Sequence, residues 1–219
     1  MNKQPIIFCD FDGTITKSDN ILSIMKHFAP PEWEALKDGV ISQNISVKEG
    51  VSKMFSLLPS TLKEDIIQYV KEIGVLRSGF AEFITYTKEQ NIPLYIVSGG
   101  IDFFVYPILD SYIDRDHIYC NASDFSGETI NIIWPHSCDK DCSNDCGCCK
   151  PSILRKFDSE HYEKIVIGDS ITDLQAAKIA DRVYARDFLI QKCEELQIPY
   201  TPFERFTEII QDLKGVGIK

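Results

Sequence analysis

Short apolar runs recur along the chain and predict β-strands that are covered on both faces. They occupy residues 5–9, 93–97, 118–120, 164–167 and 182–185. A continuous apolar run, rather than strict alternation with polar residues, is typical of a strand buried on both sides. Helical patterns separate the runs, at residues 79–89, 152–157, 171–179, 188–196 and 204–213. Strands that alternate with helices predict an α/β fold, in which a mainly parallel, Rossmann-like sheet lies between two helical layers.

The stretch 16–75 breaks this alternation, because it contains helical patterns and no convincing strand. Ser46 followed by Glu49, and Thr61 followed by Glu64, predict helix starts closed by capping boxes. The stretch is far longer than a strand–helix–strand connection needs. We therefore predict a helical cap at residues 16–75, inserted into an α/β core formed by residues 1–15 and 76–219.

The charge balance narrows the class of partner. The 219 residues carry a formal net charge of −10, whereas a general nucleic-acid binder needs a basic face. The apolar run at 5–9 is too short for a signal-peptide core, and the apolar region 92–113 is interrupted by polar residues and Pro107. We expect a soluble, cytoplasmic protein without nucleic-acid or membrane partners, whose partner is a small molecule.

Four polar features stand out, namely residues 10–14, residues 98–100, Lys150 and residues 168–173. Three of them directly follow a predicted strand, and the carboxyl ends of parallel strands meet at one edge of a sheet. That edge would gather the carboxylates of Asp10, Asp12, Asp169 and Asp173. Carboxylates this close repel one another unless a cation lies among them. Oxygen ligands with room for water and phosphate suit Mg²⁺.

Each feature also has a plainer interpretation. A D-x-D turn is usually a solvated loop or a helix cap, and Lys150 by itself is a surface charge. Asp169 and Asp173 can cap the helix that follows them, since Asp is favoured at helix starts. These interpretations do not explain why all four features occur together in this order.

The order D-x-D-G-T, strand-end Ser, Lys and G-D-x-x-x-D resembles the haloacid dehalogenase superfamily of phosphatases. The resemblance extends from Asp10 to Asp173, and the helical insert is similar to the first cap position of that family. It implies a haloacid dehalogenase-like core, a Mg²⁺ cofactor and hydrolysis of a phosphate monoester through an aspartyl-phosphate.

The resemblance also implies roles for individual residues. Asp10 is the nucleophile, and Asp12 gives a proton to the leaving alkoxide and later takes one from water. Mg²⁺ is held by the carboxylates of Asp10 and Asp169 and the backbone carbonyl of Asp12. Asp173 supports Asp169 or a metal-bound water. The phosphate oxygens are bound by Ser98, the Gly99 amide and Lys150.

Three longer segments are similar to the methionine-salvage phosphatases within that superfamily: residues 8–20, 96–104 and 146–151. That similarity implies a sugar-derived enol phosphate with a thioether tail. Phosphocholine and phosphoethanolamine phosphatases share a comparable opening and remain the alternative. Phosphoserine phosphatases carry a glutamate where this chain has Asp19. Asp19 and Asn20 either face the site or cap the first cap helix.

Eight cysteines are present, and five of them fall between residues 138 and 149. The spacing Cys-x₃-Cys-x₃-Cys-x-Cys is compatible with a tetrahedral thiolate site. It suggests a structural Zn²⁺ that stiffens the loop before Lys150, with ligands Cys138, Cys142, Cys146 and Cys148. The alternative is a loop of reduced thiols, or of disulfides without a role.

Two further classes of function stay open. A non-catalytic metal-binding or redox module would use the cysteines as its functional site. The presence of both Asp10 and Asp12 counts against it, because such a module needs no nucleophile and acid. A phosphotransferase or mutase would pass phosphate from Asp10 to an alcohol instead of water.

Overall fold

The computed structural model describes residues 3–215 and contains, within them, one seven-stranded sheet of order β4-β3-β2-β1-β5-β6-β7. Neighbouring strands are parallel except β4, which pairs antiparallel with β3 at one edge. The predicted α/β class is therefore confirmed. The strands are β1 Gln4–Cys9, β2 Leu94–Ile101, β3 Ile118–Asp124, β4 Asn131–Ile133, β5 Tyr162–Gly168, β6 Arg182–Ala185 and β7 Thr201–Pro202.

Helices cover the sheet. Those that the described residues form are α1 Asn20–Phe28, α2 Trp33–Ile41, α3 Val47–Phe55, α4 Lys63–Ile73, α5 Phe80–Glu89, α6 Asp102–Leu109, α7 Lys150–Arg155, α8 Leu174–Ala177, α9 Asp187–Leu196 and α10 Phe206–Gly215. None of the helices between residues 3 and 215 has the length and apolar character needed to cross a membrane.

The central strand β1 explains the continuous apolar runs. Ile7 and Cys9 join a cluster that includes residues of α5, α6 and α10, such as Phe206. Ile6 and Phe8 join a second cluster, with Leu154 of α7. Successive side chains of a strand point to opposite faces, so a strand with a helical layer on each side must be apolar at every position.

Helices α1 to α4 lie between β1 and α5 in the chain, where the sequence predicts a cap. Thr16 and Leu76 form an antiparallel bridge, so this stretch leaves and returns at one point. Phe55 of α3 packs edge-on against Phe103 of α6, with ring centroids 6.1 Å apart. The boundaries 16–75 for the cap, and 1–15 with 76–219 for the core, stay a prediction, and residues 1, 2 and 216–219 lie outside the described residues.

Two predicted helix starts differ in outcome. The Ser46 hydroxyl accepts a hydrogen bond from the Glu49 backbone N–H at 3.0 Å, as a cap should, although the Glu49 carboxylate pairs with Lys53 instead. Thr61 is not a cap, because residues Ser60–Leu62 form a 3₁₀ turn and α4 begins after it without a side-chain cap. A tight 3₁₀ turn supplies its own hydrogen bonds and makes the side-chain cap unnecessary.

Candidate active site

The loop 10–14 leaves the end of β1 at the centre of the sheet. The Asp10 backbone N–H donates to the Ile167 carbonyl at 2.9 Å, which fixes the loop to the end of β5. Gly13 has a φ of +78°, and a side-chain carbon there would collide with the Asp169 carboxylate. Glycine meets both demands, so the two strand-end motifs approach closely.

Lys150, the first residue of α7, is buried between two carboxylates. Its Nζ lies 2.7 Å from Asp10 Oδ1 and 2.5 Å from Asp173 Oδ1, and the side chains of Lys150 and Asp10 are each only 5% exposed. Burial and the charge of Asp173 raise the pKa of Asp10 well above its usual range, while Lys150 opposes that rise. Burial by itself would lower the pKa of Lys150, but the two carboxylates raise it overall, so the lysine is charged.

Asp169 follows β5 and completes the acidic group. Carboxylate oxygens of Asp10, Asp169 and Asp173 all lie within 4.8 Å of one another. The Thr14 hydroxyl donates to Asp169 Oδ1 at 2.9 Å. Burial, followed by the charge of Asp173, raises the pKa of Asp169 to about 7. Three carboxylates beside one lysine leave unbalanced negative charge, and such an oxygen donor set fits Mg²⁺.

Asp173 already has partners for both oxygens. Its Oδ2 accepts hydrogen bonds from the backbone N–H groups of Asp169 and Ser170 at 3.1 Å each, while Oδ1 pairs with Lys150. This carboxylate therefore holds the loop that carries Asp169, and it also closes a capping box at the start of the following 3₁₀ turn. Asp173 thus acts as a cap here, and the support of a metal-bound water that the resemblance implies for it stays a prediction.

Asp12 is held by Asn20, the first residue of α1. The backbone N–H and the side-chain Nδ2 of Asn20 donate to Asp12 Oδ1 at 3.0 Å and 2.6 Å. Burial, then the charge of Asp19, raises the pKa of Asp12 to about 7, and the Asn20 hydrogen bonds oppose that rise. Asp19 itself caps α1, because its Oδ1 accepts from the Leu22 N–H at 2.9 Å. Asn20 thus contacts the site residue, whereas Asp19 serves the helix.

Ser98 and Gly99 lie near the end of β2, beside Asp12. The buried Ser98 Oγ accepts a hydrogen bond from the Gly100 N–H at 2.8 Å. A side-chain carbon at Gly100 would lie 3.0 Å from Asp12 Oδ2, so the missing side chain lets this loop approach the carboxylate. Gly99 faces open space, and Asn121 Nδ2 donates to its carbonyl at 2.8 Å.

Some residues of the site had no recognisable signal in the sequence. Arg77 is buried and donates to the backbone carbonyls of Thr14 and Gly13, at 2.7 Å and 2.6 Å. These hydrogen bonds fix the backbone of the loop 10–14. Asn121 does the same for Gly99. Neither belongs to a local motif, because each acts through a partner that is distant in the sequence.

The cysteine loop, residues 134–149, connects β4 to α7 and ends next to Lys150. Thiol sulfurs of Cys138, Cys142, Cys146 and Cys149 lie within 4.8 Å of one another. Cys148 as a predicted ligand is therefore wrong: its Sγ points to the Tyr119 carbonyl, 3.8 Å away, and its side chain is buried in the apolar cluster under β1. Cys148 and Cys149 are consecutive and project in different directions, and the spacing alone does not indicate which one turns inward.

The same loop contacts the start of α3. Ser46, at the start of α3, donates from its hydroxyl to Asp145 Oδ2 at 2.7 Å. Lys48 Nζ lies 3.7 Å from the other oxygen of Asp145. These groups are exposed, so the contact adds little stability, but it joins α3 to the loop that ends at Lys150.

The sheet order, the three strand-end motifs and Lys150 together define a class of protein. Residues 7–178 match the haloacid dehalogenase-like hydrolase family, and the chain belongs to that family. A solved structure titled as a phospho-aspartyl intermediate analogue of phosphoserine phosphatase superposes with a TM-score of 0.72, covering 96% of this chain and 99% of that one. At 19% identity, this similarity shows the fold alone.

Curated relatives are more specific. A 2-hydroxy-3-keto-5-methylthiopentenyl-1-phosphate phosphatase from Geobacillus kaustophilus is 62% identical over 218 residues, covering 100% of this chain and 99% of the relative. A protein of the same name from Bacillus velezensis is 49% identical, covering 99% of this chain and 93% of the relative. The predicted resemblance to the methionine-salvage phosphatases is confirmed.

Proposed function

We propose that this chain is a Mg²⁺-dependent phosphatase that hydrolyses 2-hydroxy-3-keto-5-methylthiopentenyl-1-phosphate in methionine salvage. The observation that carries the proposal is the juxtaposition of Asp10 with Lys150 and Asp169, with Asp12 held nearby by Asn20. The full-length similarity to relatives that bear this enzyme name supports the choice of substrate.

The first chemical step uses Asp10 and Asp12. An Asp10 carboxylate oxygen attacks phosphorus, the bond from phosphorus to the ester oxygen breaks, and Asp12 gives its proton to the departing oxygen. Lys150, 2.7 Å from Asp10, favours the ionised form that this attack requires. A pKa of about 7 suits Asp12, because near neutral pH it can both give and take a proton.

The second step regenerates the enzyme. Water attacks the phosphorus of the aspartyl-phosphate, Asp12 takes its proton, and the bond to Asp10 breaks. Ser98, Gly99 and Lys150 would donate hydrogen bonds to the non-bridging phosphate oxygens in both steps. Mg²⁺, held by the Asp10 and Asp169 carboxylates and the Asp12 carbonyl, would supply positive charge against those oxygens.

The cap favours this substrate over the amine-bearing alternatives. An enzyme that reads the ammonium group of phosphoserine or phosphoethanolamine needs a free carboxylate near the entrance of the site. Here the carboxylate of Asp19 accepts from the Leu22 N–H as a helix cap, and the next residue, Asn20, is used to hold Asp12. An uncharged thioether tail makes no such demand.

The test is a comparison of phosphate esters in the presence of Mg²⁺. The methionine-salvage intermediate, phosphoserine, phosphoethanolamine and phosphocholine are ranked by kcat/KM with inorganic phosphate as the measured product. We expect the salvage intermediate to lead by about 100-fold, the order of discrimination that an apolar pocket provides. An amine-bearing ester in first place would favour the alternative phosphatases, and phosphate found on an added alcohol would indicate a phosphotransferase.

The free state of all eight cysteines suits a reducing compartment, and we place this activity in the cytoplasm. The test is to fuse this chain to a fluorescent protein and to measure fluorescence and phosphatase activity inside and outside the cell. Active fusion protein found outside the cell would contradict this placement.

A further inference from the structure

We infer that Cys138, Cys142, Cys146 and Cys149 bind one structural Zn²⁺ ion, in addition to the divalent cation of the carboxylate site. The four side chains come from different points of the cysteine loop, and their sulfurs converge within 4.8 Å. A closed set of four thiolates is typical of a structural zinc site, whereas a catalytic zinc keeps one position open.

The sulfur spacing matches metal ligands rather than disulfides. The Sγ atoms of Cys142 and Cys146 are 3.8 Å apart. Four sulfurs placed about 2.3 Å from a central Zn²⁺ in a tetrahedron are separated by about 3.8 Å along each edge. A disulfide would bring two sulfurs to about 2.05 Å. The observed separation is too long for a disulfide and fits two thiolates that share one ion.

Hydrogen-bond donors surround the sulfurs, as the outer shell of a thiolate site requires. The Cys146 backbone N–H points at the sulfur of Cys138, with N and Sγ 3.4 Å apart, and the Ser152 hydroxyl donates to the sulfur of Cys149 at 2.9 Å. Ser152 is fixed in turn, because its oxygen accepts from the Asp139 N–H at 2.9 Å. Such donors stabilise negative charge on sulfur.

The outer shell continues to the following helix. Arg155 of α7 binds the Asp139 carboxylate through two parallel hydrogen bonds, Nε to Oδ2 at 2.7 Å and NH2 to Oδ1 at 2.6 Å. The loop is thus joined to α7 at Asp139 and, through Ser152, at Cys149. This arrangement is more than a set of thiols that happen to lie together.

The cysteine loop also has a reason to need a cross-link. Between β4 and α7 the described chain forms neither helix nor strand, although the loop ends in the buried side chains of Cys148 and Cys149. An irregular segment of this length has few hydrogen bonds of its own. An ion bound to four residues of the loop reduces its conformational freedom, and this helps to fix the position of Lys150.

The first test measures metal in the wild-type protein. Protein purified from zinc-supplemented medium is analysed by elemental analysis and X-ray absorption at the zinc edge. We expect one zinc ion per chain with four sulfur neighbours at about 2.3 Å. Iron bound in its place, a Cys142–Cys146 disulfide in freshly purified protein, or failure to take up zinc under reducing conditions would each overturn the inference.

The second test separates the two candidate ligands by substitution. Cys142→Ser and Cys149→Ser should lose the zinc, and Cys148→Ala, which alters the neighbouring buried thiol, should keep it. Zinc retained by Cys149→Ser and lost from Cys148→Ala would contradict the ligand set. Because a variant can fail to fold, Co²⁺ is also exchanged into the wild-type protein: intense sulfur-to-cobalt absorption in the near ultraviolet is expected, and its absence counts against the site.

Discussion

The loop 10–14 and the cysteine loop deliver the two charges of one ion pair by different means. The first leaves a central strand and positions Asp10 at once, and it is held by hydrogen bonds from Arg77. The second crosses a long irregular segment before it reaches Lys150, and its clustered groups are sulfurs. A turn at a strand end needs only protein donors to be rigid, whereas a long loop needs a cross-link to reach the same precision.

The largest expected effect comes from the first loop. Asp10→Asn keeps the size of the side chain and removes the nucleophile, so turnover of the best phosphate ester should fall by at least about 10⁴-fold. The measurement is phosphate release at saturating substrate and Mg²⁺. Asp38→Asn, an exposed aspartate of α2, is the matched control and should keep wild-type activity. An active Asp10→Asn enzyme would remove Asp10 from the nucleophile position.

Asp12→Ala should slow both formation and hydrolysis of the phosphorylated enzyme, by about 10²–10⁴-fold, because each step loses its proton donor or acceptor. Rapid-quench experiments with labelled substrate measure the two rates separately. If only the second rate fell, the leaving group would be protonated by some other group.

Lys150→Ala tests the second loop and should act on stability as well as turnover. It leaves Asp10 and Asp173 buried without their cation, and breaking a buried ion pair costs about 3–5 kcal/mol. We expect a lower urea midpoint, a higher KM and a lower kcat. Lys156→Ala, at an exposed lysine directly after α7, is the control and should leave KM and kcat unchanged. Unchanged kinetics in Lys150→Ala would mean that a different lysine binds phosphate.

The smallest effect concerns the proton on Asp12. The negative charge of Asp19 raises the pKa of Asp12. Asp19→Asn removes that charge and keeps a good helix cap, so Asp12 should lose its proton at lower pH. The alkaline limb of kcat/KM against pH should then move down by up to about 1 unit, while the same profile of Asp38→Asn stays in place. A limb that moves upward would contradict the assignment of that limb to Asp12.

Much of the site was predictable because its motifs obey a local rule. Asp10 and Asp169 each directly follow an apolar strand, and Ser98 lies in the carboxyl-terminal half of β2. Parallel strands bring such positions to one edge. Helix α6 was missed: it is apolar on most sides and contains Pro107, so no 3.6-residue period marks it. The choice between Cys148 and Cys149 failed for a related reason, since an irregular loop has no period that says which side chain turns inward.

Contacts between distant parts of the chain were out of reach of sequence reasoning. Arg77 and Asn121 look like ordinary polar residues, and their contribution appears only when the carbonyls of Gly13 and Gly99 lie next to them. The partner of Asn20 is likewise set by how α1 lies against the end of β1, which the helical pattern of α1 does not specify.

The hydrogen bond from Ser46 to Asp145 joins α3 to the cysteine loop. Asp145 belongs to the short span of chain that ends at Lys150, the residue proposed to grip phosphate. A movement of α3 away from the core would break this hydrogen bond or displace residues 145–149. While this hydrogen bond is intact, a shift of α3 is therefore passed on to the residues that lead into Lys150.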